Sequence, residues 1–454
     1  MMSDLTSSTA ADAQTRDAKR DQHSVERSHS NRRRAIIAAA AGSTLEWYDF
    51  YIYGVASALV FGPLFFPSFD PVVGTLLSFA TFAIGFIARP VGGIIFSNWG
   101  DRIGRKKILV ITLVLMGAAT ALIGLLPTYE SIGLWAPILL LTMRLLQGFG
   151  AGAELGGANS LVVEHSRPDR RGLSTGFIFM GVVVGLLVSS GIFSVIAALT
   201  SDEAFMAWGW RIPFLISIAL VVLGIWIRFR VTESPAFEDA EAQAEAKKEP
   251  APVVRLLREG KKSLFIVMGA RVAENGVLFF YSVFLLSYIT QSLSLDSSVS
   301  TTALTVACLV GLFTIPFFAW LSDRIGRRPV LLAGTAFGVV SAFPIFFLVN
   351  TSDTVLITIG LTLGVAFAWG SMVGVQGAYF TELFPTRLRF TGYTVGREVS
   401  SIFAGGLAPF IATGLLASFG GAWWPVATYV LVMSLVGFVA LCFGPETYKK
   451  DITK

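Results

Sequence analysis

The chain has 454 residues, of which 54% are hydrophobic, 13% aromatic and only 14% charged, with a formal net charge of +5. A soluble domain carries about 25% charged residues, so this composition argues against a soluble enzyme, and the apolar content excludes disorder over most of the chain. The only two cysteines, Cys308 and Cys442, both lie inside apolar runs, which excludes a disulfide scaffold and a cysteine-rich metal site.

Residues 1–34 form a polar tail rich in Ser and Arg. It contains Asp4, Asp12, Asp17, Asp21 and Glu26, unlike an acid-poor transit peptide, and reads as a disordered cytoplasmic tail. Arg32-Arg33-Arg34 stands directly before the first apolar run, placed to anchor it at lipid headgroups. A bilayer-spanning helix needs about 20 apolar residues. Such runs predict spans near 36–62, 72–97, 108–126, 134–158, 173–199 and 212–228. Residues 229–262 mix Glu-Ala-Lys stretches with Pro250 and Pro252 and read as a partly helical linker. Six more spans follow near 264–289, 301–321, 330–349, 354–380, 391–418 and 423–443, and 444–454 form a second tail. The expected organisation is therefore a tail (1–34), a six-helix half (35–228), a linker (229–262), a second six-helix half (263–443) and a tail (444–454). The fold class is an all-α membrane protein of twelve transmembrane helices.

The basic residues predict its orientation. The first tail, the even-to-odd loops and the last tail hold 30 of the 35 Lys and Arg. The opposite loops hold Arg211 alone, and Arg89, Arg144, Arg271 and Arg397 fall inside spans. Positive charge stays on the cytoplasmic side during insertion, so both termini are expected there.

The halves also repeat. Gly100-Asp101-Arg102-Ile103-Gly104-Arg105-Lys106 lies between spans 2 and 3, and Ser322-Asp323-Arg324-Ile325-Gly326-Arg327-Arg328 between spans 8 and 9. One hairpin later, Glu164 and Arg171 match Glu382 and Arg389. Parallel repeats of this kind, related by an axis along the membrane normal, belong to one large class of secondary transporters. With these motifs the chain resembles the major facilitator superfamily, whose usual motif opens with Gly where this chain has Ser97 and Ala319. Further segments resemble its metabolite:proton symporter branch: Leu45-Glu46-Trp47-Tyr48-Asp49-Phe50, Arg89-Pro90-Val91-Gly92-Gly93, Arg144-Leu145-Leu146-Gln147-Gly148, Trp210-Arg211-Ile212-Pro213-Phe214, Glu233-Ser234-Pro235 and Glu382-Leu383-Phe384-Pro385-Thr386-Arg387. The resemblance implies a monomeric transporter in a bacterial inner membrane, with shikimate, dicarboxylates or the osmolytes proline and betaine as the range of cargo. It also implies gating roles for Asp101, Arg102, Arg105, Asp323, Arg324 and Arg327, with Arg89, Glu164 and Glu382 beside them.

Charge inside a bilayer is costly, about 2.5–3.5 kcal/mol per group on insertion scales, and marks functional positions. Glu46 and Asp49 lie on one face of span 1, roughly 17 and 21 Å from its start and so near the middle of a core about 30 Å thick. Arg144 heads a ridge of Gly148, Gly152 and Gly156 at intervals of four. Arg271, Glu274 and Asn275 share a face of span 7, and Arg397 and Glu398 lie in span 11. An arginine from each half suits an anion, because guanidinium grips carboxylate through two parallel bonds and stays charged. The expected substrate contacts are Arg144, Arg271, Asn275 and Gln147, with Tyr48 and Tyr281 from the aromatic residues of spans 1 and 7. No histidine lies within a span, so proton coupling falls to carboxylates: Glu46, Asp49, Glu154 and Glu274. A substrate carboxylate that displaces one of them from its arginine would drive it to take up a proton.

Other classes lack their signatures. There is no Gly-x-x-x-x-Gly-Lys phosphate loop and no His-Glu-x-x-His motif, and no cofactor, metal, catalytic residue or nucleic-acid partner is expected. A drug antiporter of the same fold would show Gly-Pro-x-x-Gly-Gly in span 5, where this chain reads Met180-Gly181-Val182-Val183-Val184-Gly185. The expected function is proton-coupled import of a small organic carboxylate. The alternatives are symport of a zwitterionic osmolyte and a non-transporting nutrient sensor.

Overall fold

A computed structural model describes residues 40–103, 105–152, 159, 162–163, 166–230 and 252–450. The described residues form twelve long helices in chain order: α1 (40–59), α2 (Pro71–Ile103), α3 (Arg105–Leu125), α4 (Trp135–Ala151), α5 (Arg171–Leu199), α6 (Arg211–Arg230), α7 (Lys261–Ser292), α8 (Ser297–Ile325), α9 (Arg327–Val349), α10 (Thr354–Glu382), α11 (386–418) and α12 (Trp424–Cys442). Among the described residues there is no strand. Eight of these helices are long and apolar enough to cross a membrane, and α6 makes a ninth when joined to Asp202–Gly209 across a 42° bend. α3 contributes the shorter apolar stretch Val110–Leu125, because it opens on Arg105-Lys106-Lys107, and α1 and α4 run into undescribed residues.

The connections follow local chemistry. Asp296 and Asp353 cap α8 and α10 by accepting from backbone N–H groups two and three residues on. The bonds from Ser298 hold the Asp296 carboxyl below its usual range. The repeated motif, expected as a loop, is helical in both copies as far as Ile103 and Ile325. In the second copy the chain turns at Gly326, whose φ of +108° a side chain would not tolerate, and α9 begins at once. Within the linker, Pro252–Glu259 forms a helix that buries Leu256 against Gly260 and leaves Leu257 exposed.

Two seams join the halves: α5 packs along α8, and α2 packs against α11. Small residues let the helices approach, as they do where no hydrophobic force separates helix from lipid. Gly176 faces the Ala319 methyl, and Gly406 faces Ala83 and Phe86. Inside the first half, α2 and α4 cross backbone to backbone. A Cβ on Gly148 would overlap the Gly85 carbonyl, and one on Gly152 would overlap that of Arg89. Gly148→Ala should therefore lower stability by about 1–3 kcal/mol through overpacking, read as a fall in the thermal midpoint of the purified protein. An unchanged midpoint would mean that the two helices are not in backbone contact.

Candidate substrate and coupling site between the halves

Among the described residues, eight buried charged side chains lie away from the helix ends: Arg89, Arg144, Arg271 and Arg397 against Glu46, Asp49, Glu274 and Glu398, each at most 8% exposed, while Arg171, Asp323, Arg327, Glu382 and Arg389 are buried near helix ends. Four positive charges match four negative ones. Burial on this scale requires pairing, and the pairing crosses from one half to the other. Arg89 on α2 donates through Nη2 to Glu46 Oε1 on α1 at 2.6 Å and through Nε to Glu398 Oε2 on α11 at 3.0 Å. Arg397 adds an ion pair to Glu398 Oε1 at 3.7 Å. The result is a ladder from Glu46 through Arg89 and Glu398 to Arg397.

The second half contributes a network of its own. Arg271 pairs with Glu274, donates to Gln376 Oε1 on α10 at 3.3 Å and approaches Ser401 Oγ on α11 at 3.4 Å. The Trp369 indole N–H on α10 donates to Glu274 Oε1 at 2.7 Å. Asn275 is fully buried next to Gly405, and neither of its amide atoms has a hydrogen-bond partner among the described residues. The same holds for Trp47 Nε1 and the Tyr51 hydroxyl on α1 and for Gln376 Nε2. Trp47 and Tyr51 face the second half, with ring centroids 6.2 and 5.9 Å from that of Phe279 on α7. α7, α10 and α11 each pass through a π-helical turn close to these residues, at Phe280–Phe284, Leu363–Trp369 and Ile402–Gly406. Such turns re-aim side chains and recur at functional sites.

Arg144 sits differently from its counterpart on α7. Its guanidinium is enclosed in the first half by the rings of Tyr53, Phe50 and Phe82, at 4.1, 4.5 and 4.9 Å. It donates to the Gln147 side chain and to the Phe82 carbonyl. Gln147 in turn donates to the Asp49 carbonyl at 3.0 Å and to Thr120 at 2.9 Å. Arg144 and Gln147 thus tie α1, α2, α3 and α4 together. The Tyr48 hydroxyl donates to the Pro213 carbonyl on α6, within its own half. Tyr281 packs its ring on Gly364 of α10, and its buried hydroxyl has no partner among the described residues.

A second cluster lies where α8, α10 and α12 end and α5 begins. Asp323 pairs with Arg327 at 2.6 Å and accepts from the Gly172 and Leu173 backbone N–H groups at 2.9 and 2.7 Å. It therefore caps α5 of the other half, where the helix dipole also favours a carboxylate. Glu382 accepts from Thr447 at 2.7 Å and forms ion pairs with Arg327 at 3.6 Å and Arg171 at 3.8 Å. Glu446, from the segment after α12, accepts from the Arg327 and Arg328 backbone at 2.9 and 3.0 Å. Arg324 stays outside the cluster, over the Trp320 ring at 4.6 Å. At the opposite ends of the helices the halves also meet. Thr75 on α2 donates to Gln291 on α7 at 3.0 Å, and Thr305 on α8 donates to Ser190 on α5 at 3.2 Å. The polar centre lies between these two sets of contacts.

The side chains of Asp101, Arg102 and Arg105, and the whole of Glu154 and Glu164, lie outside the described residues. Several residues escaped notice as site residues in the sequence. Trp47, Tyr51, Trp369 and Gln376 are indistinguishable from packing residues in an apolar run. Arg397 and Glu398 stood out as charges within a span, but only the crossing of α2 and α11 shows what they join.

The comparisons agree with this architecture. The Major Facilitator Superfamily model matches residues 41–397 and 272–454. The Escherichia coli K12 shikimate transporter is 42% identical over 410 residues, covering 90% of this chain and 93% of that protein. The proline/betaine transporter of the same strain is 36% identical over 431 residues, covering 92% and 85%. Among solved structures, the proton:xylose symporter XylE bound to 6-bromo-6-deoxy-D-glucose superposes with a TM-score of 0.72 at 16% identity, covering 94% of this chain and 98% of that one. A partially occluded inward-open form of XylE from E. coli gives the same score at 16% identity, covering 92% and 99%. With twelve helices in two pseudo-symmetric halves, a buried ion-pair ladder between them and relatives that are transporters along their whole length, this chain is a multi-pass membrane transporter and belongs to the major facilitator superfamily.

Proposed function

We propose that the protein is a proton-coupled symporter that imports a small organic carboxylate of the shikimate class by alternating access, as a monomer in a bacterial inner membrane. The observation that carries this reading is the unpaired hydrogen-bonding capacity buried between the halves. Among the described residues, Trp47, Tyr51, Asn275 and Gln376 leave donors and acceptors uncovered in the interior, Gln376 next to Arg271. Leaving such groups unmade costs about 1–3 kcal/mol each, a cost that a substrate with a carboxylate and several hydroxyls offsets. A ligand without polar groups would not. The 42% identity to a shikimate transporter supports the same class. In this reading both termini and the Asp323 cluster face the cytoplasm, since the basic loops lie at that end. The halves are 35–228 and 263–443, joined by the linker 229–262. The proton is carried by a buried carboxylate: Glu46, Asp49, Glu274 and Glu154 are the candidates that the sequence offers, and Glu398 joins them through its bond to Arg89.

The balanced interior charge supports a second reading. A zwitterionic osmolyte adds no net charge to a neutral centre, and the 36% identical relatives include proline and betaine transporters. Proteoliposomes under an imposed proton gradient separate the readings. Accumulation of labelled shikimate, and not of labelled proline or betaine, is the expected result. Accumulation of the osmolytes alone would replace this reading with the second, and uptake of nothing in the panel would favour a sensor. Arg271→Ala should weaken binding of shikimate about tenfold or more while sparing its neutral methyl ester, measured by calorimetry on folded protein. Equal losses for acid and ester would make Arg271 a structural partner of Glu274.

A further inference from the structure

Arg397 is 1% exposed, yet its Nε and Nη1 have no hydrogen-bond partner among the described residues. Its contact with Glu398 Oε1, at 3.7 Å, is longer than a hydrogen bond. Its guanidinium lies 5.8 Å from the Trp47 ring, so it stands at the seam with the first half. The Tyr51 hydroxyl, also uncovered, is within its electrostatic reach. Glu398, its neighbour in sequence, is clasped by Arg89 of the other half. Arg271 on α7 and Tyr393 on α11 also act on Glu398, and Glu46 on α1, Glu274 on α7 and Tyr393 act on Arg397. Each acid here has an arginine: Glu46 has Arg89, Glu274 has Arg271, and Glu398 shares Arg89 and Arg397.

We infer that Arg397 and Glu398 form a one-for-one exchange site, in which the substrate carboxylate pairs with Arg397 while Glu398 takes up a proton. This deepens the acid-symport reading above and rests on it. Arg397 is a buried guanidinium with two uncovered nitrogens among the described residues, and each can donate a charge-assisted bond to a substrate carboxylate. An arriving anion would otherwise leave five negative charges against four positive ones within this central set, and two carboxylates around one arginine cannot both stay ionised cheaply. A proton moved from water to the Glu398 carboxylate restores the balance, so that one proton accompanies each monoanion and the loaded centre carries the same charge as the empty one. Neutral Glu398 holds Arg89 less tightly. The α2–α11 seam then loses part of the ion pair that joins the halves, which links occupancy to alternation. A dianion would bring one charge too many, so the site selects small monocarboxylates.

The test is proton uptake on binding. Purified protein in weakly buffered solution with a pH indicator is titrated with shikimate, and affinity is read in parallel by calorimetry. The wild-type chain should take up about one proton per shikimate bound. Arg397→Gln should weaken binding about 30-fold or more, and Arg397→Lys, which keeps the charge but not the several donors of the guanidinium, should fall between. Glu398→Gln should still bind shikimate but with proton uptake close to zero. Binding by the wild-type chain without proton uptake would overturn the exchange site, and that measurement needs no variant. So would undiminished affinity in both Arg397 variants, or a full proton taken up by Glu398→Gln. If the wild-type chain does not bind shikimate or any other acid, the acid reading itself falls, and this site with it.

Discussion

Replacing Arg89 with methionine should abolish accumulation of substrate and lower stability by about 3–5 kcal/mol. The guanidinium is 3% exposed and is shared by Glu46 at 2.6 Å and Glu398 at 3.0 Å, one from each half. Removing one member of a buried ion-pair network leaves charge without its compensation, which costs more than the network contributes when intact. The triple change Arg89→Met, Glu46→Gln, Glu398→Gln removes that charge and should recover much of the stability while transport stays lost. Denaturant or thermal unfolding of the purified variants checks both statements. A single variant as stable as the wild type would show that the two carboxylates have other compensation, and the ladder would lose its structural meaning.

Asp323→Asn should have the second largest effect, on the conformational equilibrium rather than on binding. The carboxylate makes two bonds to the start of α5 in the other half and one ion pair to Arg327. An amide oxygen can still accept, but the charge that strengthens all three contacts is gone. If the loss amounts to about 2–3 kcal/mol, the closed state at this face falls about 30- to 150-fold relative to the open one. Reactivity of single cysteines placed around the start of α5 should rise accordingly, and gradient-driven uptake should slow. Shikimate affinity should change little, because Asp323 lies at the end of α8 and the polar centre is deeper. Arg271 alone is ten residues into α7, about 15 Å along its axis. Unchanged labelling with full transport would remove Asp323 from the gate.

The twelve helices and their division into two sets of six were legible in the sequence, because spanning a bilayer demands about 20 apolar residues per helix and the repeated Asp-Arg-Ile-Gly-Arg motif marks the halves. The intramembrane charges were legible for a related reason: in an apolar run each ionisable residue stands out against the cost of burying it. Their partners were not. Periodicity places Glu46 and Asp49 on one face of a helix, but which arginine meets them depends on how helices cross. Arg144 was legible as a mid-span charge suited to an anion, but not its surroundings: it lies among Phe50, Tyr53 and Phe82 and is tied through Gln147 to the α1 backbone. Arg89 and Glu398, 309 residues apart, meet only because α2 and α11 pack at the seam.

What the sequence by itself determined is therefore the class of molecule, its helix count, its repeat and the identity of its buried charges, since each follows from local hydrophobicity and spacing. Tertiary structure alone decided which charges pair across the halves. It also decided that Asp323 caps a helix of the opposite half, and that among the described residues the Tyr51 hydroxyl, the Asn275 amide and Gln376 Nε2 are left uncovered at the centre. The physical reason is range. Hydrophobic periodicity acts within one helix, whereas an ion pair or an unmet hydrogen bond is a property of distances between helices hundreds of residues apart, and those distances exist only once the two halves have closed on each other.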